Sequence, residues 1–190
     1  MSGLKKAGLV LILFAIISKA LGILREMLVA YYFGTTSQLD AYIIGMNIPL
    51  LIMNTLAGEA IVASFIPIFT AFLAKGDERA ASEFGSTIIN LTTIIFLALT
   101  LIYLLFTPLL VKITAPGFSP VTYQLATRLT RIMLFSMIFF SFSSICRSIL
   151  NSYQSFTLPG LGQSVLNASI ILMIIIAVPF FGVYALAWGF

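Results

Sequence analysis

The sequence predicts an all-α fold, a polytopic transmembrane helix bundle. One ground is composition: 61% of residues are hydrophobic and 8% charged, against roughly 25% charged in soluble domains, and the mean hydropathy is +1.13. A second is length, because the apolar runs reach or exceed the ~20 residues that cross a ~30 Å hydrocarbon core. The third is punctuation, since short polar or Pro/Gly-rich breaks separate the runs. They define five complete segments and the start of a sixth, at about 7–33, 38–74, 82–111, 122–152, 159–180 and 183–190, within a single transmembrane domain over 1–190.

The first run is longer than the bilayer is thick, so it tilts or projects, and Gly34-Thr35-Thr36-Ser37 ends it. Ser37, with Asp40 three residues on, has the spacing of a capping box that opens the second segment. That segment is too long for one straight span and holds Pro49 and Pro67. Each proline removes a helix hydrogen bond, so a kinked or segmented helix is expected. Lys75-Gly76-Asp77-Glu78-Arg79 forms a solvated turn before the third segment, and Thr114-Ala115-Pro116-Gly117-Phe118-Ser119-Pro120 a defined turn before the fourth. The fourth begins with Arg128 and Arg131 and carries Arg147 near its other end; Leu158-Pro159-Gly160 opens the fifth. Tyr184 to Phe190 supplies only the first turns of a sixth, so the sequence reads as part of a longer protein.

With no histidine, one cysteine (Cys146) and six acidic residues scattered along the chain, no metal cluster, His-based triad, disulfide framework or cofactor site is expected, and an enzyme reading starts weak. The net charge of +4 is spread singly between apolar runs, which argues against nucleic acid as a partner. Basic residues in short loops stay cytoplasmic. Lys5 and Lys6, then Lys75 and Arg79, then Arg147 place the N terminus inside; Lys112, Arg128 and Arg131 oppose this. Lys5-Lys6, the apolar run and Ser18-Lys19-Ala20 imitate a signal peptide, but the run continues to Phe33, which favours an uncleaved span.

Lys19, Arg25 and Glu26 lie inside the first apolar run. A charge at that depth costs at least ~2.5 kcal/mol and is kept mainly where it faces a bundle interior or a water-filled cavity. Lys19 and Glu26, seven apart, are nearly eclipsed on a helix, and Ser18, Gly22 and Arg25 form an adjoining stripe, so the two predict one polar face. Against a pathway role stands a packing account, in which Lys19 snorkels and Arg25 pairs with Glu26 or Glu59. Asn54 and Glu59 sit among the small residues Ala57, Gly58, Ala60, Ala63 and Ser64, which equally suit close helix packing. Asp40 reads as a cap or a ligand. Arg128 and Arg131 share a face that suits either a cavity mouth or the headgroup zone.

These residues also occur in an order that resembles a known family. Ser18-Lys19-Ala20-Leu21-Gly22-Ile23-Leu24-Arg25-Glu26 is followed by Tyr32-Phe33-Gly34, Leu39-Asp40-Ala41-Tyr42, Ile48-Pro49 and Ala63-Ser64-Phe65-Ile66-Pro67-Ile68-Phe69. Further on come Thr114-Ala115-Pro116-Gly117-Phe118, Ile149-Leu150-Asn151 and Leu166-Asn167-Ala168-Ser169. The series resembles the opening of MurJ (MviN) proteins, lipid II flippases of the multidrug/oligosaccharidyl-lipid/polysaccharide exporter superfamily. The resemblance implies a two-lobed exporter of about fourteen helices, of which this chain supplies most of the N-terminal lobe and to which further helices or a C-terminal lobe are partners. It implies a bacterial inner-membrane protein with a cationic cavity that opens alternately to each side and carries a polyprenyl-pyrophosphate-linked glycan precursor outward among the membrane lipids. Arg25 matches a cavity arginine that contacts the pyrophosphate region, Glu26 the acidic residue beside it, and Asp40 the acidic residue opening the second helix. Lys19 stands where the family usually has arginine. Where the family commonly has an arginine pair, this sequence has Met53-Asn54, and the acidic-glycine step is reversed as Gly58-Glu59.

On this reading Arg25 and Lys19 replace the water of the pyrophosphate while the prenyl tail stays in lipid. The expected substrate-binding set is Arg25, Lys19, Glu26, Asn54, Glu59 and Asp40. Three other readings stand beside it: a flippase for a different lipid-linked oligosaccharide, a cation-coupled drug exporter of the same superfamily relying on Glu59 and Asp40, and a non-transporting membrane interaction fragment.

Overall fold

In a bilayer every backbone polar group must be satisfied internally, which leaves the helix as the natural state of these apolar runs. The structure, a computed structural model, describes the backbone of all residues except Met1, Ala57, Gln154 and Phe156, and the side chains of 12–54, 64–153, 155 and 161–190. Among the described residues it is all-helical: α1 (Ser2–Phe33), α2 (Ser37–Leu56), α3 (Gly58–Ala74), α4 (Glu78–Thr114), α5 (Pro120–Leu134), α6 (Ser136–Ser152), α7 (Thr157–Phe181) and the short α8 (Tyr184–Gly189). By length and composition Glu78–Thr114, Pro120–Ser152 and Leu161–Phe181 are each able to cross a membrane. Their outward faces carry exposed Ile94, Leu101, Leu105, Phe139, Leu172 and Phe180, side chains that lipid would cover.

Helix starts follow local chemistry. Asp77 caps α4 by accepting the Ala80 amide at 2.9 Å, and Ser119 caps α5 by accepting the Thr122 amide at 3.2 Å, with Pro120 at the first helical position. The capping box expected at Ser37 is displaced. The Thr36 carbonyl accepts the Leu39 and Asp40 amides, so the cap falls one residue earlier, and Ser37 is already helical. Gly34, at φ +54°, supplies the left-handed residue that turns the chain out of α1.

Within the predicted second segment both prolines are carried inside helix, Pro49 in α2 and Pro67 in α3; Ala57, which separates the two ranges, lies outside the described residues. The predicted fourth segment is stepped, between α5 and α6 at Phe135. There the Phe135 amide reaches the Ile132 carbonyl and the Ile138 amide the Phe135 carbonyl, bonds one residue shorter than the α-helical pattern. No proline or glycine announces this step.

Packing pairs the helices out of sequence order. α1 lies along α7, α2 along α5, and α3 and α4 flank α6. The main core joins Val29 and Phe33 of α1, Tyr42 and Ile48 of α2, Leu129 and Met133 of α5, Ile170 and Ile174 of α7, and Leu186 of α8. α2 approaches α5 closely because Gly45 has no side chain: a Cβ there would stand 3.3 Å from the Thr130 amide nitrogen. At the α3–α4 end, Phe65 stacks on Phe69 and Phe84 with ring centroids 5.1 and 5.4 Å apart.

Candidate functional site

Of the charges within its apolar run, α1 turns Arg25 toward α7 and leaves Lys19 and Glu26 exposed. Ser18, Gly22 and Arg25, spaced by four and three residues, fall on one stripe, and all three meet Asn167 of α7. Arg25 Nη1 donates to Asn167 Oδ1 at 3.1 Å. Asn167 Nδ2 donates to the Ser18 carbonyl at 3.1 Å, and a Cβ at Gly22 would lie 3.5 Å from that nitrogen. Arg25 Nη2 pairs with Glu26 Oε1. The Arg25 side chain is 19% exposed, whereas that of Glu26 is 67% exposed.

The polar face expected on α1 is therefore divided. The Ser18–Gly22–Arg25 stripe is committed to α7, and Lys19 and Glu26 on the adjoining stripe are exposed. Beside the pair lies a recess of about 110 Å³, lined by Arg25, Glu26, Val29 and Ala30 of α1 and by Leu39, Tyr42, Ile43 and Met46 of α2. A guanidinium with one edge fixed to a neutral amide and the other to a solvent-reaching carboxylate can exchange that carboxylate for another anion. A phosphate offers the bidentate acceptor geometry that suits the exchange.

The remaining expected residues are more dispersed. Counted from the 34–36 turn at ~1.5 Å per residue, Arg25 lies about 12 Å along α1 and Lys19 about 21 Å, while Asp40 lies about 5 Å and Asn54 about 25 Å along α2. Asp40 is exposed in the first turn of α2 and outside the recess lining. Asn54 is exposed, near the depth of Lys19 and well away from Arg25. The side chain of Glu59, like those of Lys5 and Lys6, lies outside the described residues. Lys19, Arg128 and Arg131 are exposed and form no ion pair among the described residues. No group of residues suited to a metal ion occurs among the described residues.

Sequence reasoning gave Asn167 no role, although a signal existed. It is an asparagine in a largely apolar membrane helix, a place where a buried carboxamide is kept mainly for a partner on another helix. At 3% exposure it is among the most deeply buried polar side chains described.

The comparisons with known proteins converge on one family. A sequence profile described as "Lipid II flippase MurJ" matches residues 29–190. The "Probable lipid II flippase MurJ" of Buchnera aphidicola subsp. Schizaphis graminum is 37% identical over 183 residues, covering 92% of this chain and 35% of the relative. The "Lipid II flippase MurJ" of Thermosipho africanus is 33% identical over 155 residues, covering 82% of this chain and 32% of the relative. Among solved structures, "Lipid II flippase MurJ, inward closed conformation" superposes with a TM-score of 0.79 at 31% identity, over 94% of this chain and 38% of that one. The chain thus spans about a third of the length of the curated relatives it matches. With helical architecture, profile and relatives in agreement, this membrane chain belongs to the MurJ lipid II flippase family.

Proposed function

We propose that the chain supplies the cationic wall of a flippase that moves lipid II, the lipid-linked peptidoglycan precursor, from the inner to the outer leaflet by alternating access. The observation that carries the proposal is Arg25: a mostly buried guanidinium on a membrane helix, facing a recess and paired, among the described residues, with a carboxylate that itself reaches solvent. Such a group can take a pyrophosphate in place of Glu26 with little rearrangement, while the prenyl chain remains in lipid. Lys19, a turn and a half deeper and exposed, offers a second cation along the same helix. Asp40 and Asn54 stand at the rim and at the deeper level of the facing helix, where a headgroup would meet them in passing. Glu59 belongs to the same proposed path.

The protein is placed in the bacterial cytoplasmic membrane with its N terminus inside, supported by Lys5, Lys6, Lys75 and Arg79. The rest of the transporter, as an additional lobe, supplies the opposite wall of the cavity.

The test is ligand binding by the protein expressed from its full reading frame, read by native mass spectrometry. A polyprenyl-pyrophosphate lipid is expected to bind, to weaken with rising salt as screening shortens toward ~8 Å at physiological ionic strength, and to weaken more when Lys19 and Arg25 are both neutralised than when either is. Binding of cationic dyes that depends on Glu59, with no affinity for polyprenyl pyrophosphates, would replace the flippase reading with the drug-exporter one.

A further inference from the structure

Arg25 does not aim itself. An arginine carries a long, rotatable side chain, and a single ion pair to its own neighbour, Glu26, leaves the plane of the guanidinium free to turn. Residues i and i+1 point about 100° apart on a helix and do not face each other. The group that restricts it is on another helix. Asn167 of α7 is buried at 3% exposure, accepts from Arg25 Nη1 at 3.1 Å and donates to the Ser18 carbonyl at 3.1 Å.

The two contacts depend on each other. The Ser18 carbonyl takes only a donor, so it fixes which end of the carboxamide faces Ser18. The opposite end, the acceptor, is thereby directed at Arg25. The reverse orientation would set an NH2 group against the cationic guanidinium and a carbonyl against a carbonyl. Gly22 lies between the two contacts, and a methyl group there would stand in van der Waals contact with Nδ2 at 3.5 Å.

We infer that Asn167 is a positioning residue for anion binding: anchored on the Ser18 carbonyl, it holds one edge of the Arg25 guanidinium so that the other edge is presented to the recess for a pyrophosphate. The inference rests on the flippase reading of Arg25 given above. It assigns to α7 a part in recognition, and it makes the α1–α7 contact part of the binding site.

The test is a double-mutant cycle in the protein from the full reading frame, with undecaprenyl pyrophosphate as the probe and dissociation constants read by native mass spectrometry. Asn167→Ala is expected to weaken binding about tenfold and Arg25→Ala more than that. The double variant is expected to bind no more weakly than Arg25→Ala alone, because Asn167 acts only through the arginine. A residue with a purely structural role would instead add its loss to that of Arg25→Ala, and that additivity, or unchanged binding by Asn167→Ala, overturns the inference while leaving the flippase reading intact. Should Asn167→Ala fail to fold, Asn167→Asp keeps the shape and the acceptor; its carboxylate captures the guanidinium, so binding again falls, and undiminished binding overturns the inference. Failure of the unmutated protein to bind the probe removes the flippase reading and this inference together.

Discussion

The hydroxyl of Thr107 is shared between the Tyr103 carbonyl at 2.7 Å and the Leu104 carbonyl at 3.1 Å, and Leu104 is the residue whose carbonyl Pro108, lacking an amide hydrogen, leaves without its helical partner. α4 runs through Pro108 to Thr114, and at that point the hydroxyl offers Leu104 a donor in place of the missing amide.

Replacing Thr107 with Val is expected to destabilise the protein by about 1 kcal/mol. In a Pro108→Ala background, where an amide again reaches Leu104, the same change is expected to cost clearly less. Thermal unfolding in detergent measures both. Equal losses in the two backgrounds would show that Thr107 does not stand in for the missing bond.

A second expectation concerns the α2–α5 seam. A Cβ at Gly45 would meet the Thr130 nitrogen at 3.3 Å and both Leu129 Cβ and Met133 Sδ at 3.4 Å, so Gly45→Leu forces the helices apart at a cost of about 1–3 kcal/mol. Gly45→Ala asks only for a shift of a few tenths of an ångström. Melting temperatures should fall in the order native, Ala, Leu; a Leu variant as stable as the native protein would contradict the close approach.

In cells depleted of their own flippase, the full reading frame carrying Arg25→Ala is expected not to restore growth although the protein accumulates normally. Arg25→Lys tests the geometry. Lysine keeps the charge but cannot make two parallel bonds, so partial rescue is expected, and full rescue would mean that charge alone suffices.

Topology is open to a simple labelling experiment. With Cys146 changed to Ser, a cysteine at Ser82, exposed in the first turns of α4, and one at Gly117, in the open turn before α5, should react with an impermeant reagent from opposite sides. Ser82→Cys should be protected in intact cells. Labelling of that site from outside would invert the proposed orientation.

The membrane class and helical make-up were legible in composition and run length, because burial in lipid imposes both on the sequence. The turns before α4 and α5 were legible in their polar, proline and glycine residues, but the caps inside them, Asp77 and Ser119, were not singled out, and the cap expected at Ser37 falls one residue earlier. The step at Phe135 was not, since it arises from shortened backbone bonds that leave no mark on residue identity. Pro49 and Pro67 lie inside helices, as Pro108 does, because a proline within a membrane helix can be absorbed. At the site, the periodicity of α1 grouped Ser18, Gly22 and Arg25 correctly. Which neighbour they face depends on α7, far along the chain, and local spacing carries no information about that.

The separation of Arg25 from Asn167 has a consequence for biogenesis. Asn167 is translated 142 residues after Arg25, about 7–30 s later at ~5–20 residues per second. During that interval α1 must enter the bilayer with its arginine lacking the partner from α7. Glu26 is present from the start, being the next residue made, and neutralises the guanidinium locally. Glu26→Gln should therefore lower the amount of protein that reaches the membrane, measured by pulse labelling, even in a fully grown chain whose Arg25 has since met Asn167. Unchanged insertion would leave Glu26 without this early task. The ion pair visible in the finished fold is, in this light, also an escort for a charge that arrives before its permanent companion.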